Sequence, residues 1–414
     1  MKQLVLLLAV TLIAPQISAA KGFTLEKVTV EQLQQILTAA RGKPDAEVCK
    51  QLSQLELTER LSTDSLARWN SDLPGETARQ ALLTLADRSA FLDPPQREIP
   101  DAAKPEMAEQ SRILALAVQF VASILHKLPD FFATRETNRF RNTSEVPGRT
   151  GPIITADPRF HFVDRLSTTV RYRDGHEVVD GGAVKKADRD AAQEDRSTDW
   201  GIFGPLLGTV MVDASHGKLV WGHWEQGAPG SLAVFRYAVP KEKSHYEVQY
   251  CCLVSGSGAA RPIRITPAYH GEIAIDPASG TVLRLAIVTD LDPDLPVEKV
   301  NVLVEYGPVE LGGKTYICPV KSVSIKKGKT WNEQSLGFTG TTLVAGGMAS
   351  LPDGGASYTD SGPAVTLIDD VEFGQYHLYR GDARILTENK EAGNGNPHLK
   401  PAATPATGTS APSP

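Results

Sequence analysis

The densest group of side chains able to ligate a metal or move a proton lies in VDASHGKLVWGHWE (Val212–Glu225), where His216 and His223 stand near Asp213 and Glu225. A catalytic zinc needs three converging protein ligands and an open fourth position. No His-Glu-x-x-His or His-x-His pair occurs, and His176-Glu177 lacks a second histidine. His216 and His223 are therefore weak metal candidates, surface or core histidines are the plainer reading, and no metal is expected. Asp290, Asp292 and Asp294 imitate the opening of a calcium loop, but the sixth and twelfth positions hold Leu295 and Asn301 instead of Gly and Glu. A solvated turn is the expectation there. There is no Gly-x-Ser-x-Gly elbow, and Ser255-Gly256-Ser257-Gly258 has the wrong spacing for one. No phosphate-cradling Gly-rich motif precedes a helix. The sequence thus predicts no catalytic residue and no cofactor.

What concentrates instead is aromatic and aliphatic surface. Trp200, Phe203, Trp221, Trp224, Phe235 and Tyr237 fall in one part of the chain, beside Leu206, Leu207, Val210 and Met211. Leu206, Leu207, Met211, Trp221, Phe235 and Tyr237 are the candidates to line a groove for an acyl chain or another apolar ligand. The alternative is that they fill the core between sheet and helices. The four cysteines are Cys49, Cys251, Cys252 and Cys318. Cys251 and Cys252 are adjacent on an expected strand and point to opposite faces, so one of the two can bridge to Cys318. Free thiols packed as small hydrophobes are the other reading.

These residues need elements to position them. From Thr29 to about Leu128 the apolar residues recur at helical spacing, with breaks at Gly42, Pro74-Gly75 and Pro94-Pro95. Asp45 is expected to cap the helix that contains Val48, Leu52 and Leu55. A long helix is expected over about 107–127. At Phe132 the period changes to two, and hairpin signals follow. Strands flank turns at Asp174-Gly175, Asp276–Gly280 and Gly312-Gly313, and 245–254 is expected to pair with 234–239 across Pro240–Ser244. Turns this short leave no room for crossover helices, so the sheet is antiparallel. Gly204–Ala214 reads as a short helix covering one end, and Thr366–Tyr379 as a last strand. Charged and Gly-rich loops are expected at about 180–199 and 346–362. Residues 387–414 form a polar Pro/Ala/Thr tail expected to be disordered.

The N-terminus has the pattern of a secretory signal peptide over residues 1–20. Lys2 precedes an apolar run from Leu4 to Ala14, and Pro15 and Ser18-Ala19-Ala20 prepare a cleavage site. That run is about half of the ~20 residues a membrane-spanning helix needs, and no cysteine precedes Cys49 to take a lipid. The expected product is a soluble periplasmic or extracellular protein, not an integral membrane protein after cleavage. A formal charge of −6, or −7 once Lys2 is removed, argues against nucleic acid as a partner. With 41% hydrophobic residues in 414, the chain can bury a real core.

Two stretches carry a resemblance: YHGEIAIDPASGTVLRLAI (Tyr269–Ile287) and VEYGPVELGGKTYICPVKSVSI (Val304–Ile325). They resemble the hairpins of bacterial exported proteins related to the outer-membrane lipoprotein carriers, in which a curved antiparallel sheet wraps helices around an apolar groove. The chain as a whole is similar to uncharacterised secreted proteins of acidobacterial type. The expected fold is therefore α+β: a helical domain over residues 21–130, then a large antiparallel sheet over 131–386 that resembles the lipoprotein carrier-like half-barrel. The expected function is an exported, non-catalytic binding protein of the cell envelope holding a lipid-like or apolar ligand in the sheet groove. An interaction module that docks an envelope protein through the helical domain is the alternative, and a hydrolase with a site assembled from distant residues is a remote one.

Overall fold

The computed structural model describes residues 25–148, 151–179, 202–227, 230–254, 260–295, 297–329 and 364–379. The expected signal peptide, both expected loops and the expected tail lie outside them. Six α-helices are seen among the described residues: α1 Val30–Ala39, α2 Asp45–Leu52, α3 Thr63–Asn70, α4 Glu76–Ser89, α5 Met107–Lys127 and α6 Pro205–His216. Two of them begin on local start signals. Thr29 closes a capping box with Gln32 on α1, and Pro205 stands in the first turn of α6. No helix among the described residues is long and apolar enough to cross a membrane.

Ten strands form one open antiparallel sheet: β3 Phe131–Gly148, β4 Gly151–Arg173, β5 His176–Val179, β6 Lys218–Gly227, β7 Gly230–Val239, β10 Ala268–Ile275, β11 Val282–Asp290, β12 Val297–Leu311, β13 Lys314–Lys329 and β14 Ala364–Leu378. Their order is β5-β4-β3-β14-β13-β12-β11-β10-β7-β6. The last strand in sequence, β14, therefore sits near the middle, between β3 and β13. β8 Val248–Val254 and β9 Ala260–Ile265 pair only with each other. The expected partnership of 245–254 with 234–239 is not formed, because β10 takes that edge of β7. A 3₁₀ turn at Lys241–Lys243 carries the chain away, and Asp213 of α6 then accepts hydrogen bonds from His245. A three-residue parallel pair, β1 Glu26–Val28 with β2 Leu55–Leu57, ties the start of the chain into the helical layer.

Both faces of the sheet are covered. Leu285 and Ile287 turn to one face, where they meet Ile113, Ala117 and Val121 of α5 and Leu207 and Val210 of α6. Ala286, between them, turns to the other face with Leu303, Val323, Ile325 and Ile368, against Ala90 at the end of α4. This is the period-two alternation of a strand, apolar on both sides because both sides are packed. Helices and sheet belong to one compact unit running to Tyr379.

Gly271 is where the packing is tightest. A Cβ there would lie 1.8 Å from the Ala286 carbonyl and 2.9 Å from the Tyr237 hydroxyl, and that hydroxyl donates to the same carbonyl at 2.7 Å. Gly271→Ala must therefore move backbone or break a buried hydrogen bond, and we expect it to cost roughly 3 kcal/mol. Gly313 has a positive φ of 79° but nothing within 4 Å of its missing Cβ, so Gly313→Ala is expected to cost about 1–2 kcal/mol. Urea denaturation midpoints of the two variants check the order. A milder effect at Gly271 than at Gly313 contradicts the packing argument.

Candidate functional site

The six groove candidates do come together, and they do so as core. Leu206, Leu207, Met211, Phe235 and Tyr237 are buried, and Trp221 packs against them. Trp221 meets Phe235 edge-on at 5.4 Å and Trp224 at 4.9 Å, and Tyr237 meets Tyr269 at 5.8 Å. The covering helix α6 is itself one of the most apolar segments, so its side chains occupy the space over this face.

The histidine cluster divides. His216 is exposed at the C-terminus of α6, and its carbonyl accepts from Lys243 Nζ at 2.5 Å. His223 lies 3.4 Å from Glu225 on β6. Asp213, fully buried, accepts from the His245 backbone N–H at 2.7 Å, from Nδ1 at 2.6 Å and from the Tyr269 hydroxyl at 2.8 Å. The His245 ring is 71% exposed, and the pair works as a latch between α6, the 3₁₀ turn and β10. Among the described residues no group of three or more acidic, His or Cys side chains is placed to hold a metal. The Asp292–Asp294 segment is an exposed turn, with the Asp294 N–H donating to the Asp292 carboxylate at 3.0 Å and the Leu295 N–H to the Asp292 carbonyl at 3.1 Å. Cys318 is a free, buried thiol, pushed up to about 12 by burial. The expected bridge to Cys251 or Cys252 is therefore not formed here. The side chains of those two residues on β8 lie outside the described residues.

Two buried charge clusters lie between the helical layer and the sheet. In the first, Glu225 receives a bidentate fork from Arg284 at 2.6 and 2.7 Å and a third contact from Arg60 at 2.6 Å. Arg236 bridges Glu272 at 2.9 Å and Asp93 at 2.5 Å. Burial opposes the Glu225 charge, but hydrogen bonds from His223 and Arg284 and the two guanidinium charges outweigh it and hold the carboxyl far below its usual range. In the second, Lys321 pairs with Asp370 at 2.9 Å and lies 3.7 Å from Asp87 of α4. Asn138 donates to Asp370 at 3.2 Å. One lysine faces two carboxylates, so burial and then the Asp370 charge push Asp87 well above the usual carboxylate value.

One opening among the described residues is a cleft of about 270 Å³ between α2 and α4 on one side and β3 and β4 on the other, and neither cluster lines it. The α4 wall is a helical stripe, Thr77, Ala81, Leu85 and Arg88, in which the small Ala81 leaves a hollow. Asp45 was expected to cap α2. It instead starts that helix and caps α4, accepting from Thr77 Oγ1 at 2.6 Å and from the Ala78 N–H at 2.9 Å. Its carboxyl is lowered first by the Thr77 hydroxyl. The sheet wall is Phe140, Phe160, His161 and Phe162. Three consecutive residues of one strand cannot all face one way in a regular ladder. Here β4 is irregular: His161 pairs with Arg141, the next pair is Ala156 with Thr143, and residues 157–160 stand opposite Asn142 alone. Asp157 braces this bulge by accepting from the Arg159 N–H at 2.9 Å and from its guanidinium at 2.9 Å. Phe140 and Phe162 meet edge-on at 5.7 Å, and Phe162 stays 37% exposed. The guanidinium of Arg88 lies 5.3 Å over the Phe160 ring. Sequence reasoning missed these residues. The signal was present in RFRN (Arg139–Asn142) and RFHF (Arg159–Phe162), two strands that each set phenylalanine among basic side chains.

The charge clusters set the response to pH. Asp87 prefers its proton in the folded state, so its contribution is complete below the usual carboxylate range and is lost as pH rises through its elevated value. Glu225 is the reverse: its contribution is present above the usual range and is lost as pH falls. Unfolding free energies from urea denaturation, measured from pH 5 to 9, should fall toward alkaline pH in the wild type by up to about 1.4 kcal/mol per pH unit. Asp87→Asn should flatten that slope; an unchanged slope rejects the assignment. Glu225→Gln leaves Arg60 and Arg284 buried without their shared partner and should cost about 3–5 kcal/mol at neutral pH.

Comparison with family models, curated proteins and solved structures finds no match to this chain.

Proposed function

We propose that this chain is an exported, non-catalytic binding protein of the cell envelope that holds a small apolar ligand in the cleft between α2–α4 and β3–β4. The cleft carries this reading. Three phenylalanines with Leu52, Ala81 and Leu85, among polar side chains that include Ser53, Thr77, Gln80 and Thr84, line about 270 Å³, just under the ordinary range of ligand sites, with the Phe162 ring 37% exposed. The N-terminal leader pattern supports export, and the hairpins that resemble lipoprotein carriers support a binding role at the envelope. The ligand site differs from that expectation. The face covered by α5 and α6 is packed with the chain's own side chains, and the cleft lies on the face of the helical layer.

Burial of apolar ligand surface supplies the affinity, at ~25 cal/mol per Å² removed from water. Filling the hollow should abolish it. Ala81→Trp is expected to eliminate binding of a neutral naphthalene probe while leaving the urea midpoint within about 1 kcal/mol of wild type. Native mass spectrometry of the protein purified from its own envelope should show a bound small molecule that the variant lacks. Unchanged probe binding by Ala81→Trp sinks the assignment of this cleft.

A further inference from the structure

Arg88 is the charged residue of the cleft that its own surroundings leave under-compensated. It stands in the last turn of α4 with 19% of its side chain exposed. One nitrogen donates to the Leu55 carbonyl at 3.3 Å, and the nearest carboxylate, Glu56, is 3.9 Å away and 44% exposed. A guanidinium carries five N–H donors, and among the described residues one hydrogen bond draws on them. Burial pushes it below its usual value, with Glu56 opposing only in part. Arg88 Cζ lies 5.3 Å over the Phe160 ring, a cation–π contact, and a guanidinium offers a fork of donors of the kind that matches a carboxylate. No Asp or Glu lines the cleft. Its other titratable groups are Cys49, whose thiol is raised by burial, and His161, which lies 3.4 Å from Asp157 outside the lining.

We infer that the cleft takes a small aromatic carboxylate, with the carboxylate in the Arg88 fork and the ring against Phe140, Phe160 and Phe162. The inference rests on the proposed binding role of this cleft and adds the charge and shape of the ligand. The volume favours a compact ring system over a long acyl chain, and three phenylalanine faces give a ring edge-on and offset partners. The anion supplies the countercharge that the cleft walls lack.

The test compares 2-naphthoate with its neutral isostere 2-naphthamide by titration calorimetry on the full-length chain. The acid should bind at least about tenfold tighter, the scale of one charge-assisted hydrogen bond. In Arg88→Met, which keeps the apolar stem over Phe160, the preference should fall to near unity with naphthamide binding retained. Glu56→Gln, which leaves the fork intact, should tighten naphthoate by roughly threefold. Equal affinities in the wild type, or a preference that survives Arg88→Met, or naphthoate binding that Glu56→Gln leaves unchanged or weakens, overturns the anion inference while naphthamide binding keeps the apolar site standing. Failure of both probes to bind overturns both.

Discussion

Arg60, Glu225 and Arg284 form the contact on which the arrangement of layers depends. Arg60 belongs to the helical layer, Glu225 to β6 at one edge of the sheet, and Arg284 to β11 near its middle. Apolar surface alone would let a helical layer slide over a sheet at little cost, because hydrophobic attraction has no direction. A buried ion pair does not permit that. Moving Arg60 away from Glu225 leaves a buried charge without its partner. The second cluster, Lys321 between Asp370 and Asp87, sets the same condition further along the sheet, and Thr63 to Glu305 adds a hydrogen bond at 2.8 Å across the same boundary. Helical layer and sheet are thus held at separate points, and the cleft is the space left where that layer overhangs β3 and β4.

The strength of this frame explains why the opposite face is closed. Strands β10 to β13 place apolar residues on both sides, as in VNVLVEY (Val300–Tyr306 with Asn301 and Glu305). A sheet face this rich in apolar side chains must be covered with chain or ligand. This chain uses α5 and α6. Gly280, at a positive φ of 75°, brings the turn between β10 and β11 against Leu116 of α5, so the covering helix is seated on a fixed turn. Phe203, just before α6, stands among Phe131, Tyr172 and Phe373. That aromatic density, which in sequence reads equally as groove or core, becomes core once a helix is available to lie on it.

How much of this was legible follows from the range of each signal. The hairpins at Asp174-Gly175, Asp276–Gly280 and Gly312-Gly313 were readable because turn residues and flanking alternation are local, and the structure pairs them as expected. The helices of the first hundred residues and the short helix after Gly204 were readable for the same reason. The position of β14 between β3 and β13 was not, since nothing in its own residues names neighbours more than two hundred positions away. β1 and β2 were too short to show a period. The charge clusters escaped because Arg60, Glu225 and Arg284 are scattered over the chain and each looks like an ordinary surface residue. The aromatic cleft needed two facts unavailable to a pattern: that α4 crosses β3 and β4, and that β4 breaks its alternation at 157–160.

The cleft also requires that nothing local collapse it. A gap next to three phenylalanines closes readily unless its walls are fixed independently, since every contact across it is favourable. Here each wall is held from outside. The α4 wall is pinned at its first turn by Asp45, reaching from α2 past Gly75, where a Cβ would lie 2.5 Å from the carboxyl carbon. The same wall is held near its other end by Asp87 facing Lys321. The β4 wall is held by the Asp157–Arg159 brace and by the Arg139–Asp164 ion pair on either side of the phenylalanines. Between these fixed points Ala81 supplies no side chain to bridge the gap. Phe162 cannot swing inward without giving up its edge contact with Phe140. Walls braced this way hold the space independently of an occupant, which would spare the proposed ligand the cost of ordering the site.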